Sequence, residues 1–151
     1  MTAETALGIS GAVAALAFSG VGSGIGTGIA ASSAVGAWKK CYAQKKQAPF
    51  LLLALVGAPI TQTLYGMILM FTMIGQANKG APGLPLLLLG IFAGLAIGVS
   101  AWFQGVAAAA AADAQSETGQ GFTNYLAALG IIETVAIFVM VFGLIAVLGM
   151  A

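Results

Sequence analysis

Residues 121–149 read GFTNYLAALGIIETVAIFVMVFGLIAVLG, and Glu133 is the one charged side chain among them. About 20 apolar residues suffice for a helix to cross the hydrocarbon layer, so this run reads as a transmembrane helix with an acid in its middle. Working outward, three further apolar runs lie near 5–37, 49–76 and 83–112. They are separated by the lysine stretch Lys39-Lys40-Cys41-Tyr42-Ala43-Gln44-Lys45-Lys46, by Asn78-Lys79-Gly80-Ala81-Pro82-Gly83, and by Asp113-Ala114-Gln115-Ser116-Glu117-Thr118-Gly119-Gln120. The expected fold is an all-α membrane protein of four spans. The spans exceed the minimum length, so they tilt or project into water.

Composition agrees. Of 151 residues 60% are apolar and 6% charged, where soluble domains devote about a quarter to charge. A soluble monomer is excluded. A net charge of +1 gives no footprint for nucleic acid, and the absence of histidine removes Ser-His and metal-His constellations. The lone Cys41 reads as an incidental small residue.

Four of the five lysines lie in the first loop. Loops rich in Lys stay cytoplasmic, so loops 38–48 and 113–120 are expected in the cytoplasm and both termini outside. No basic residues precede the first span, and its apolar run is too long for a cleavable signal.

The halves resemble each other. Laying Leu16-Ala17 on Leu95-Ala96 puts Gly26 on Gly105, and laying Leu55 on Leu126 puts Gln62 on Glu133 and Thr63 on Thr134. Two tandem hairpins, 1–76 and 77–151, are therefore expected. The first span carries Gly20, Gly22, Gly24, Gly26 and Gly28; the third carries Gly94, Gly98, Gly105 and the alanines 107–112. Gly20, Gly24 and Gly28 share a face on which backbones can approach closely. Slim first and third spans beside bulky second and fourth ones suit a ring of identical subunits, thin inside and thick outside, over a compact bundle. The run Gly26-Thr27-Gly28-Ile29-Ala30-Ala31 fits a loose dinucleotide fingerprint, but no strand precedes it and no acid follows about 20 residues on. No organic cofactor is expected.

Glu133 lies about twelve residues into its span, near mid-bilayer at 1.5 Å per residue. A charge there costs about 2.5–3.5 kcal/mol on insertion scales, and such residues mark ion or substrate paths. The second span offers Thr61, Gln62 and Tyr65 at comparable depth, with Thr61 and Tyr65 stacked at i and i+4. Pro59 lacks an N–H and leaves a carbonyl one turn earlier unpaired; the third span adds Gln104. An oxygen-rich cage around one carboxylate suits a hard monovalent cation.

Ala58-Pro59-Ile60-Thr61-Gln62-Thr63-Leu64-Tyr65-Gly66, then Gln104-Gly105, then Gly130-Ile131-Ile132-Glu133, resemble the duplicated proteolipid subunit of bacterial V-type rotary ATPases, in its sodium-binding version. The resemblance covers nearly the whole chain. It implies a membrane rotor ring of identical subunits embedded in lipid. It implies that Na+, or H+ in a proton-specific version, is held by Glu133, by side-chain oxygens of Thr61, Gln62 and Gln104, and by the main-chain carbonyl of Ala58, with Tyr65 hydrogen-bonded to the carboxylate. It implies a stator subunit with an arginine, central-stalk contacts at the cytoplasmic loops carrying Lys39, Lys40, Lys45 and Lys46, and rotation coupled to ATP hydrolysis or synthesis. The chain is then an ion-translocating subunit rather than an enzyme on its own. Ile60 and Thr63 stand where such relatives often have glycine. A four-helix antiporter would also use one membrane glutamate, usually in its first helix, which here has none.

Overall fold

A computed structural model describes residues 1–150; position 151, the end of the expected second hairpin, lies outside the described residues. Four helices account for the spans: α1 (Ala3–Ala43), α2 (Leu52–Asn78), α3 (Gly83–Thr118) and α4 (Phe122–Leu148), each long and apolar enough to cross a membrane. Among the described residues there is no strand.

Two expected loops are largely helix. Lys39, Lys40, Cys41 and Tyr42 form the last turn of α1, and Asp113 to Thr118 continue α3. Polarity marks where a span leaves lipid; helix ends require a conformational stop. For α3 that stop is Gly119, left-handed at φ 67°, whose N–H reaches the Gln115 carbonyl at 2.9 Å. Only glycine takes this backbone without strain. With 41 residues, α1 runs about 60 Å at 1.5 Å per residue, roughly twice the hydrocarbon thickness.

The helix α2 is interrupted once. Pro59 cannot donate to the preceding turn, and Ala58–Ile60 tighten into a 3-10 turn before the α-helix resumes at Thr61. This kink falls beside the polar side chains of α2.

The backbone-to-backbone seam of the fold joins α1 and α3, which run parallel. A Cβ added at Gly22 would collide with the Gly98 backbone, one at Gly26 with the Ala101 carbonyl, and one at Gly105 with the Gly26 backbone. Gly11 and Gly90 meet likewise near one end. Glu4 and Gly83 are joined 79 residues apart, the same offset that superimposes the halves of the sequence. The expected face of Gly20, Gly24 and Gly28 is not this seam: nothing in the chain lies within 4 Å of a Cβ at any of the three. Glycines two apart point about 200° away from each other on an α-helix. The alternating run therefore serves two nearly opposite faces, and only one is filled within the chain.

Both ends of the α1–α3 pair are tied. Lys40 pairs with Glu117 at one end, and at the other Glu4 accepts the Gly83 N–H at 2.6 Å, an acid satisfying an open donor at a helix start. Glu4 and Glu117 are thus engaged while remaining exposed. The Lys40–Glu117 pair puts the lysine loop and the α3–α4 turn at the same end of the molecule.

Two apolar clusters occupy the halves of the bundle. One gathers Leu69, Met73, Leu86, Ile97, Ala136 and Val147; the other, nearer the lysine loop, gathers Ala30, Leu52, Leu55, Ala108, Ala112 and Leu129. Between them lies a polar layer. The exterior presents Phe71, Phe92, Phe103, Ile131, Phe138 and Phe142. An apolar exterior on four such helices belongs in a bilayer, where only internally bonded helices and closed barrels are stable.

Candidate functional site: a carboxylate in a polar layer

The polar layer is assembled from α2, α3 and α4. Glu133, one turn past Leu129 on α4, points toward α2 and α3. Its Oε1 accepts a hydrogen bond from the Tyr65 hydroxyl at 2.5 Å, and its Oε2 accepts from Gln104 Nε2 at 3.2 Å. Gln104 Nε2 also donates to the Leu129 carbonyl at 3.1 Å. Gln104 Oε1 in turn accepts from Gln62 Nε2 at 2.8 Å. Both glutamines are fully buried, and each is bonded, as buried amides must be.

Thr61 completes the chain of contacts. Its hydroxyl lies 3.0 Å from the Ala58 carbonyl and 3.2 Å from Gln62 Oε1. The Ala58 carbonyl also takes the Thr61 N–H, a consequence of the 3-10 turn at Pro59. The oxygen at position 58 therefore sits beside Thr61, engaged by that residue's own donors, rather than standing free.

All six residues singled out from the sequence, Ala58, Thr61, Gln62, Tyr65, Gln104 and Glu133, thus lie in one connected network across three helices. The i, i+4 spacing of Thr61 and Tyr65 and the proline break explain how α2 presents its part. Thr63, its neighbour in sequence, falls on a different face, with Gly20, Gly24 and Ile60. Ile60 is half exposed there; positions 60 and 63, where the sequence departs from glycine, border the groove beside α1. Thr134, the counterpart of Thr63, turns back to the Ile131 carbonyl at 2.7 Å.

The sequence reading missed Ser100. It is buried and donates to the carbonyl of Ile132 at 3.0 Å, the peptide immediately before Glu133. Its signal was available: a serine four residues before Gln104 in an apolar helix shares the face of Gln104.

Chemically, the network surrounds one ionisable carboxyl with hydroxyl and amide groups that can present oxygen or N–H. It contains no second charge, and so can hold the acid protonated or with one monovalent cation.

A helical membrane protein of four spans, with a single carboxyl in a polar layer between apolar halves, defines the class. Within it, residues 87–146 match the family model of the ATP synthase C-subunit. The match runs from the first turns of α3 through most of α4, including Gln104 and Glu133. The segment from α3 into α4 is thus similar to the c-ring proteolipid of rotary ATPases, and the four membrane-spanning helices make the chain an integral membrane protein. A search of curated proteins finds no match to the chain.

Proposed function

We propose that the chain is the rotor-ring subunit of a V-type rotary ATPase that carries Na+ across the membrane on Glu133. The observation that supports this most directly is the bonded set around that carboxylate: Tyr65 on one oxygen, Gln104 on the other, and Gln62, Thr61 and the Ala58 carbonyl behind them. On this reading the cation replaces donor contacts. The amides of Gln62 and Gln104 turn their oxygens inward, the Thr61 hydroxyl and Ala58 carbonyl add two more, and Tyr65 keeps the carboxylate aimed at the ion.

The mechanism follows from charge. A bare carboxylate facing lipid is costly by about 2.5–3.5 kcal/mol or more, whereas one carrying Na+ is close to neutral. A loaded site passes through lipid, and an empty one remains beside a stator subunit whose arginine balances it. Moving one charge against 100 mV takes about 2.3 kcal/mol, which ATP hydrolysis supplies in the pumping direction. If the hairpins 1–76 and 77–151 are a duplication, as the shared offset of contacts and sequence supports, one acid serves four helices. Fewer ions then cross per turn for a given girth, which favours pumping against steep gradients.

The open face of α1 supports the ring. Gly20, Gly24 and Gly28 form a groove that also contains Ser23, 4% exposed, with its hydroxyl unpaired. Phe92, Val99 and Phe103 stand out from α3. The groove of one copy receives this ridge of the next, a head-to-tail contact that closes into a ring. The lysine loop and the α3–α4 turn face the cytoplasm on this reading, and Lys39, Lys45 and Lys46 are available to central-stalk subunits.

The test is reaction of the purified protein with a carboxyl-directed carbodiimide while sodium and pH are varied. Glu133 is the one membrane carboxyl modified, millimolar sodium protects it where potassium does not, and Glu133→Gln abolishes both labelling and ion transport while the ring still assembles. Labelling indifferent to sodium reassigns the carried ion to H+. No labelling at position 133 overturns the site.

A further inference from the structure

We infer that Ser100 is a positioning residue that sets the preference of the site for a metal cation over a proton; the inference deepens the ion-carrying reading above and rests on it. The argument starts from how little holds α4. Of its 27 residues only Leu129, Ala136 and Val147 are buried, so apolar packing leaves its roll about its own axis weakly defined. Two polar contacts from α3 supply what packing does not. Gln104 Nε2 donates to the carbonyl of Leu129 at 3.1 Å and Ser100 Oγ donates to that of Ile132 at 3.0 Å. The donors are four residues apart on one face of α3, and the acceptors are three apart on one face of α4. Two grips almost one turn apart fix both the height and the roll of α4, and Glu133 follows directly on the second.

The two grips are unequal. Gln104 also serves Glu133 itself and Gln62, and its amide must turn if its oxygen is to face a cation. The Ser100 hydroxyl has one partner and no part in the cage. It is the contact that holds α4 while Gln104 turns.

The chemistry of the two candidate ions then separates them. A metal cation needs several oxygens at once, each within about 0.2 Å of its preferred distance. A helix carries its side chains about 5–6 Å from its axis, so a roll of about 20° displaces the carboxylate by about 2 Å. That is fatal to a cage. A proton needs one oxygen and one acceptor, and tolerates the same displacement.

The experiment compares wild type, Ser100→Ala and Ser100→Thr by carbodiimide labelling of Glu133 in two titrations, sodium at fixed pH and pH without sodium. Ser19→Ala is the control, because that buried hydroxyl bonds only the Ala15 carbonyl of its own helix. In Ser100→Ala the sodium concentration giving half-protection rises about tenfold, the usual scale for losing a group that orients a ligand, while the pH midpoint is unchanged. Ser100→Thr, which keeps the hydroxyl, recovers sodium protection, and Ser19→Ala moves neither curve. An unchanged sodium curve in Ser100→Ala, or equal movement of both curves, overturns the proposal. Wild-type labelling that ignores sodium removes the sodium assignment instead. The role of Ser100 is then decided by spin labels at positions 103 and 131 in a Cys41→Ala background: Ser100→Ala must broaden their distance distribution, and an unaltered distribution refutes it.

Discussion

The α1–α3 seam and the α2–α4 side of the bundle solve the same problem by opposite means. The seam removes side chains until backbones touch, as at Gly22 against Gly98 and Gly26 against Gly105. The other side keeps large side chains, and its α4, with only Leu129, Ala136 and Val147 buried, relies on hydrogen bonds from Tyr65, Gln104 and Ser100. In lipid, apolar burial gives no preference for protein over solvent, so close packing and polar contacts are what remain. Close packing suits a framework because it admits one geometry. Hydrogen bonds suit an ion site because they can be exchanged for metal contacts without unpacking the helices.

Breaking the seam should have the largest effect. Gly22→Leu drives a side chain into the Gly98 backbone and should cost at or above the roughly 3 kcal/mol upper end of ordinary overpacking, measured as a lost or strongly lowered unfolding midpoint in detergent. Gly24→Leu, two residues on and facing open space in the chain, should leave that midpoint in place and eliminate the ring on native gels or by mass spectrometry. Equal damage from both would erase the distinction between the two faces of α1.

A smaller effect is expected on the polar side. Tyr65→Phe removes the donor at 2.5 Å from Glu133. Hydrogen bonds to charged groups are worth about 1.5–3 kcal/mol, so sodium protection of Glu133 should weaken about tenfold or somewhat more while the fold melts as before. An unchanged titration would show that Gln104 alone orients the carboxylate. The smallest effect belongs to the exposed tie between the ends of α1 and α3. Lys40→Ala removes the pair with Glu117; solvent-exposed pairs contribute little and are screened by salt. The melting midpoint should be unchanged at high salt and barely lowered at low salt.

Much of this was legible in the sequence because lipid restricts the alternatives. The four spans follow from apolar run length, and a lone acid at mid-span stands out against such a background. Other features depend on information that polarity does not carry. The helical continuation through Glu117 is set by the stop at Gly119. The choice between the Gly22 and Gly20 faces is set by which neighbour lies in the same chain. The role of Glu4 is hidden because its partner, the Gly83 N–H, is a backbone donor that composition does not reveal. Ser100 escapes notice because a serine in a membrane helix usually bonds its own backbone, as Ser19 does.

The layering of the bundle has one more consequence. Apolar clusters lie on both sides of the polar layer along the helix axes, acting as gaskets that deny water a lengthwise route. Glu133, held between α2 and α3, is only partly buried. If Glu133 carries the ion as proposed, the ion comes in from the flank, and a neighbouring protein that opens this doorway has to press against the outer wall of the molecule, midway along its height.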